Sequence, residues 1–373
     1  MDIELIKVGG QITSNNLVDI GESRRPALEV LVEVLRQRTR TGRKLVLVPS
    51  AHKFGGYGVT DFLEQPQKTI NYLRTISASD FSGMDLASPE LKALREDTDP
   101  DFGTMQSLPT GLLRYREMLY RWHVNKANEF GVADEAVRGI IFTVCNKVRD
   151  RADSLYRLDE EVSQLRANAA DVGKLVKALQ HGVETLKRGH VHIPPSAEID
   201  QLTKEVLTSM RREVSASLEL GIYLTERARA LDRIITCGEP LSTILIAQYL
   251  NNHNISNYRV TPREVGILTN RSFGGADMIM EATKRIITSS HIPRFDEHDV
   301  LIVPGFSGTT FIGVDEYLMG DRMTVYPEKL EGLMQRYEDE SNSGHLSITQ
   351  LGRGGSESTA AVMAGCLEVN ASY

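Results

Sequence analysis

The chain has few cysteines, no long apolar run and no excess of positive charge, and each absence narrows its possible function. Cys145, Cys237 and Cys366 lack CxxC spacing, which favours buried thiols over a disulfide framework or a zinc site. No apolar run approaches the roughly 20 residues that span a bilayer, and MDIELIKVGG does not resemble a signal peptide. The net charge of -7 argues against a nucleic-acid partner. We therefore expect a cytoplasmic protein that binds neither membranes nor nucleic acid.

The beginning of the chain has a strand–helix–strand pattern. IELIKVGG alternates and then reaches two glycines, apolar residues recur at helical spacing over 26–38, and KLVLVPSA is typical of a buried parallel strand. The glycine-rich turn FGGYGVT follows that second strand. Two loops with exposed backbone therefore end neighbouring strands, at the sheet edge where open α/β proteins bind ligands.

The middle of the chain is predicted to be helical. Apolar residues recur at three and four over 162–186, and again over 202–218 after two prolines. This pattern fits a helical insert or a helical hairpin used in dimer contacts, and periodicity does not decide between them. We predict a first part of an α/β domain at 1–76, a loop and helical insert at 77–230, and a second part of the α/β domain at 231–373 with an insertion at 313–347.

Alternating strands and helices resume after the insert. We predict helices over 238–250, 278–287 and 327–337, a short strand in REVGILT, and a buried strand in DVLIVPGF. LGRGGSESTAAVMAG then combines a glycine turn with a helix start. Such a turn exposes backbone N–H groups at a helix N-terminus and binds anions.

Five segments, in chain order, resemble the motifs of aspartate kinases in the amino acid kinase superfamily. They are IKVGGQ, CGEPLSTILIAQYL, GILTNRSFGGA, VPGFSGTT and LGRGGSESTAA. The resemblance covers roughly residues 1–60 and 231–373 and implies an α/β fold, a three-layer αβα sandwich with a mostly parallel sheet and a long helical insert. It also implies a substrate that is L-aspartate or a similar amino acid, the use of ATP with Mg²⁺, and a homo-oligomer or a complementary chain.

The implied activity is transfer of the ATP γ-phosphoryl group to the β-carboxylate of L-aspartate, the first step toward lysine, threonine and methionine. A carboxylate nucleophile has no proton to lose, so the site needs cations and N–H dipoles rather than a base. The resemblance assigns catalysis to Lys7 and Glu357, and it suggests no metal ligands. It assigns substrate binding to Ser50, Thr60, Glu239, Thr269, Arg353 and Ser356, and phosphate binding to Gly9, Gly10, Gly354 and Gly355. Phe273 also matches a motif.

Several positions depart from the family pattern. Val8-Gly9-Gly10-Gln11-Ile12 lacks a pair of hydroxyls, Asn270-Arg271 stands where the family usually has an Asp, and Glu357 replaces the Asp after GGS. In the family the glycine turn precedes the nucleotide pocket and the ACT domains, and we expect this chain to lack both. It would then be a piece of a longer enzyme, the partner of a second polypeptide, or an inactive homologue acting as a binding or regulatory module. A kinase for another amino acid is a further alternative.

Overall fold

A computed structural model describes residues 2–9, 17–20, 23–50, 108–147, 221–319, 324–352, 354–369 and 371–372, with the single residues Leu158, Gln164, Lys204 and Thr208. The chain divides into two compact units. One combines Met1–Ala152 with Arg229–Tyr373, and the other is Asp153–Ala228. In the second unit the described residues are all helical. The candidate site lies in the first unit.

The first unit is built on a parallel sheet of five strands. Its strands and hairpins are β1 (Ile3–Val8), β2 (Leu17–Ile20), β3 (Ser23–Pro26), β4 (Lys44–Pro49), β5 (Asn257–Arg259), β6 (Val300–Ile302), β7 (Ser307–Thr310), β8 (Leu318–Met319), β9 (Thr324–Val325), β10 (Ser347–Gln350) and β11 (Ala371–Ser372). The main sheet has the order β11-β1-β4-β6-β5, and all of its pairings are parallel. The pairs β2–β3, β7–β10 and β8–β9 are antiparallel.

Helices cover both faces of the sheet. They are α1 (Ala27–Arg40), α2 (Leu108–Glu129), α3 (Gly238–Asn252), α4 (Met280–His291), α5 (Pro327–Asn342) and α6 (Gly355–Leu367). Residues 135–147 and 229–235 are also helical, and Ile292–Asp296 and Val314–Tyr317 form 3₁₀ turns.

Paired residues of a sheet share a face, and this property assigns the layers. Glu4 and Asn257 lie in one row across the sheet, and they bond to Arg38 of α1 and to the Ala247 carbonyl of α3. The next row contains Leu5 and packs in one buried cluster with side chains of α4 and α6. The predicted three-layer αβα sandwich is therefore confirmed.

Two strand predictions need correction. REVGILT does not form a strand of the sheet, because Gly266 has a φ of +83° and turns the chain; only isolated bridges form at Leu268 and Thr269. Beside β6, the edge strand of the sheet is β5 instead, a three-residue strand with too few apolar residues to give a signal. The strand predicted in DVLIVPGF ends at Ile302, two residues before Pro304, which has no N–H for a ladder.

The predicted helices are present at 238–252, 280–291 and 327–342. The last of these, α5, lies in the segment between β7 and β10 and packs through Leu333 and Tyr337 in a cluster with α4 residues. Cys145, Cys237 and Cys366 are buried thiols, as predicted. Within the described part of the chain, no helix combines the length and the apolar character needed to cross a bilayer.

Candidate active site

Lys7 lies where β1 and β4 end side by side. It pairs with Val48 across the ladder, and its Nζ donates to the Ser50 hydroxyl and, at 3.2 Å, to the Val8 carbonyl. The side chain is buried, and this burial lowers the pKa of Lys7, while the carboxylates of Glu357 and Glu239 oppose the shift. The end of the parallel sheet therefore holds a desolvated cation, with two carboxylates near enough to act on it.

Glu357 reaches Lys7 from the first turn of α6. Its Oε1 lies 3.7 Å from Lys7 Nζ, longer than a normal hydrogen bond, and its side chain is 62% exposed. An ion pair with one partner in water contributes little stability. Glu357 is therefore near enough to offset part of the charge of Lys7 without forming a tight ion pair with it.

Glu239 and Ser356 join the first turns of two helices. Glu239 is the second residue of α3, Ser356 is the second residue of α6, and the Ser356 hydroxyl donates to Glu239 Oε1 at 2.6 Å. Both side chains are buried, with exposures of 5% and 6%. The N-terminal end of α3 favours negative charge on Glu239. The GEPLS and GGS segments, far apart in sequence, thus form one polar pair.

The glycine turn before α6 is interlocked with the loop after β6. Gly352 and Gly354 adopt φ of +75° and +74°, which glycine tolerates. A Cβ on Gly305 would lie 2.8 Å from Ser356 Cα, and one on Gly355 would lie 2.7 Å from the Phe306 ring. The Phe306 N–H also donates to Thr359 Oγ1 at 3.1 Å. The close approach of these two backbones places Ser356 beside Glu239.

The loop that follows Thr269 is organised by internal contacts. The Thr269 hydroxyl is fully buried, donates to the Thr309 carbonyl and shares a hydrogen bond with Thr349. Asn270 accepts at Oδ1 from the N–H groups of Ser272 and Asp277. Thr269, predicted to bind substrate, therefore bonds to the antiparallel pair β7–β10, while Asn270 uses its amide oxygen to close the loop.

The structure brings some of the predicted site residues into contact, and others lie outside the residues that it describes. Lys7, Ser50 and Glu357 form one contact group, and Glu239 and Ser356 form a second that acts on Lys7 electrostatically. Phe273 is half-buried. Gly9, Gly354 and Gly355 are close in sequence to residues of these two groups. Gly10, Thr60 and Arg353 lie outside the described residues.

Sequence reasoning missed Asp232. Its carboxylate is fully buried and accepts from the N–H of Gly274 at 3.0 Å and from the N–H of Gln350 at 3.1 Å. Burial raises the pKa of Asp232 to about 7 against these hydrogen bonds. The available signal was a lone acidic residue in the apolar stretch LDRIITC, six residues before GEP.

Three curated proteins are similar to parts of this chain. An aspartokinase of Bacillus sp. (strain MGA3) is 23% identical over 201 residues, and one of Mycolicibacterium smegmatis is 22% identical over 204 residues. An aspartate kinase of Pseudomonas putida is 26% identical over 167 residues. These matches cover 54%, 55% and 44% of this chain. They support an aspartate-kinase-like family.

The chain spans 38%, 38% and 31% of the lengths of these aspartate-kinase relatives. No protein-family model matches it. Among solved structures, E. coli aspartokinase III is similar in its complex with lysine and aspartate (T-state) and in its complex with aspartate and ADP (R-state). Each has a TM-score of 0.40 and 14% identity, and the matches cover 98% and 99% of this chain and 47% of each neighbour.

Proposed function

We propose that this chain carries the aspartate-binding site of an aspartate kinase, which transfers the γ-phosphoryl group of ATP to the β-carboxylate of L-aspartate. One observation carries the proposal: the buried Ser356–Glu239 hydrogen bond holds a carboxylate at two helix N-termini, where it acts on the buried ammonium of Lys7. A site with one anionic and one cationic group suits a zwitterionic amino acid with an additional carboxylate. The similarity to aspartokinases supports the same assignment.

Glu239 would bind the α-ammonium group of the substrate. The carboxylate is buried, so a charge-assisted hydrogen bond to it gains from the low dielectric surroundings. The Ser356 hydroxyl donates to Oε1 of Glu239 and so fixes the rotation of that carboxylate. This fixed orientation directs the substrate's carboxyl end toward the cation at the end of β1.

Lys7 would stabilise the charge that develops during phosphoryl transfer. A β-carboxylate oxygen forms a bond to the γ-phosphorus as the bond to the β–γ bridging oxygen breaks, which gives an acyl phosphate and ADP. No proton is lost in this step, so the site needs no base. The ammonium of Lys7 and the N–H groups at the start of α6 supply the positive charge that brings two anions together.

The glycine turn before α6 would suit phosphate oxygens of a nucleotide whose remaining contacts lie outside this site. Gly352 and Gly354 take left-handed conformations before α6, an arrangement that presents backbone N–H groups to anionic oxygens. Within the described ranges, no three His, Cys, Asp or Glu side chains cluster to hold a metal. Mg²⁺ bound to ATP takes most of its ligands from phosphates and water, so one or two carboxylates suffice. We include ATP and Mg²⁺ in the proposal on this chemistry.

The test compares L-aspartate with succinate, which keeps both carboxylates and lacks the ammonium. Affinities for the two ligands are measured by calorimetry for the wild-type chain and for Glu239→Gln. We expect the wild type to prefer aspartate by roughly tenfold to a hundredfold, the value of one hydrogen bond to a charged group. Glu239→Gln should abolish most of that preference. An equal preference in both proteins would remove Glu239 from ammonium binding.

A further inference from the structure

Asp232 bonds two loops that flank the candidate site. It lies in the helical residues 229–235, and its carboxylate accepts from Gly274 in the loop after Thr269 and from Gln350 at the end of β10. These two partners are far apart in sequence. Three more helical residues and a turn at 236–237 separate Asp232 from Gly238, the first residue of α3, and the Thr236 N–H donates to the Asp232 carbonyl at the end of that helix. The helix that carries Asp232 is therefore followed closely in the chain by Glu239.

Gln350 transmits this contact to the glycine turn. Its N–H donates to Asp232, its carbonyl accepts from the Ala276 N–H at 2.9 Å, and the next residue, Leu351, donates to the Phe306 carbonyl at 3.0 Å. Gly352 follows at once. The segment that enters the turn is thus held on one side by the Asp232 carboxylate and on the other by the loop after β6.

We propose that Asp232 is a positioning residue for the aspartate site: its carboxylate ties the loop at 270–276 to the end of β10 and so sets the position of the turn that carries Ser356. It acts through these backbones and does not touch the substrate. The inference deepens the proposed function and rests on it for the identity of the ligand. The two hydrogen bonds themselves can be tested without any ligand.

The first experiment uses amide hydrogen exchange on the full chain. Asp232→Asn keeps the size of the side chain but replaces one acceptor oxygen by an NH₂ group that faces an N–H donor. We expect peptides covering 270–276 and 348–352 to exchange together about tenfold faster or more, with the strands β4 and β6 unchanged. Thr236→Val is the matched control, because the Thr236 hydroxyl donates to the backbone carbonyl of Asp232 and not to its carboxylate.

The outcomes separate the positioning role from a general loss of stability. If only one loop loosens, if neither does, or if Thr236→Val loosens both loops equally, the proposal is overturned. For the ligand, L-aspartate affinity should fall about tenfold or more in Asp232→Asn and stay within about twofold in Thr236→Val. A wild type that does not bind aspartate would defeat the proposed function, while the exchange result would still decide the role of Asp232.

A second measurement needs no variant and covers the case in which Asp232→Asn does not fold. The amide protons of Gly274 and Gln350 are followed by NMR in the wild type as the pH is changed. Because both donate to one carboxylate, their shifts should move with a single common midpoint. Two different midpoints, or movement of one amide without the other, would overturn the proposal.

Discussion

Gly305→Ala tests the close approach that places Ser356. A Cβ at this position would lie 2.7 Å from Ser356 Cβ and 2.8 Å from Ser356 Cα. Carbon atoms in contact prefer about 3.5–4.0 Å, so the two segments must separate by about 0.7–1.2 Å. Overpacking of this kind costs about 1–3 kcal/mol. Part of the contact is backbone, so a side-chain rotation cannot relieve it.

The same displacement acts on the site. The Ser356 hydroxyl lies 2.6 Å from Glu239 Oε1, and a movement of that size lengthens the contact beyond hydrogen-bonding distance. Loss of a hydrogen bond to a charged group costs about 1.5–3 kcal/mol. Gly305→Ala should therefore lower both the free energy of unfolding, measured in urea, and the affinity for aspartate, measured by calorimetry.

Gly365→Ala is the matched control. This glycine lies in α6 itself, is exposed, and a Cβ there would meet no atom within 4 Å. Alanine in a helix interior is more favourable than glycine by about 0.5–1 kcal/mol, so this variant should be more stable and bind aspartate normally. Gly305→Ala that unfolds at the wild-type urea concentration and binds aspartate with wild-type affinity would show that close packing at Gly305 does not position Ser356.

Three further predictions concern charge. Lys7→Ala should lower phosphoryl transfer by roughly a hundredfold or more in a form that turns over ATP, measured as ADP release, and retained activity would exclude Lys7 from the mechanism. Glu357→Gln removes a carboxylate that raises the pKa of Lys7, so the basic limb of the pH–rate profile should move to lower pH; an unmoved limb would contradict this contact. The pKa of Asp232 rises from 3.8 to about 7 on folding, so the folded state retains a proton that the unfolded chain has lost, and the contribution of Asp232 to stability falls as the pH rises from about 4 to 7. The difference in unfolding free energy between wild type and Asp232→Asn should therefore shrink by up to roughly 4 kcal/mol across that range, and a pH-independent difference would contradict the raised pKa.

The parts of the fold that local sequence signals specify were predictable. The continuous apolar run of β4 indicated a buried parallel strand, the GEPLS segment indicated a helix, and the glycines before α6 indicated a turn. In each case the signal lies within a few residues of the feature. Lys7 could be placed near the end of a strand for the same reason, because the strand signal includes it and the two glycines follow closely.

Features that depend on pairing between distant segments were not predictable. The edge strand β5 is three residues long and is held in the sheet by its pairing with β6. The local sequence of 263–269 predicts a strand, but Gly266 turns this segment away from the sheet. In the sequence, Asp232 cannot be distinguished from an ordinary helix carboxylate. Its contacts come from Gly274 and Gln350, which only the folded chain brings near it. Burial of the Thr269 hydroxyl likewise follows from the β7–β10 pairing rather than from its own motif.

The most direct test of the central claim is calorimetric titration of the purified chain with L-aspartate in the absence of nucleotide, followed by a separate titration with Mg-ATP. We expect saturable binding of one aspartate per chain, weakened in Glu239→Gln. If a folded wild-type chain does not bind aspartate, it does not carry the proposed aspartate site, whatever the result with Mg-ATP.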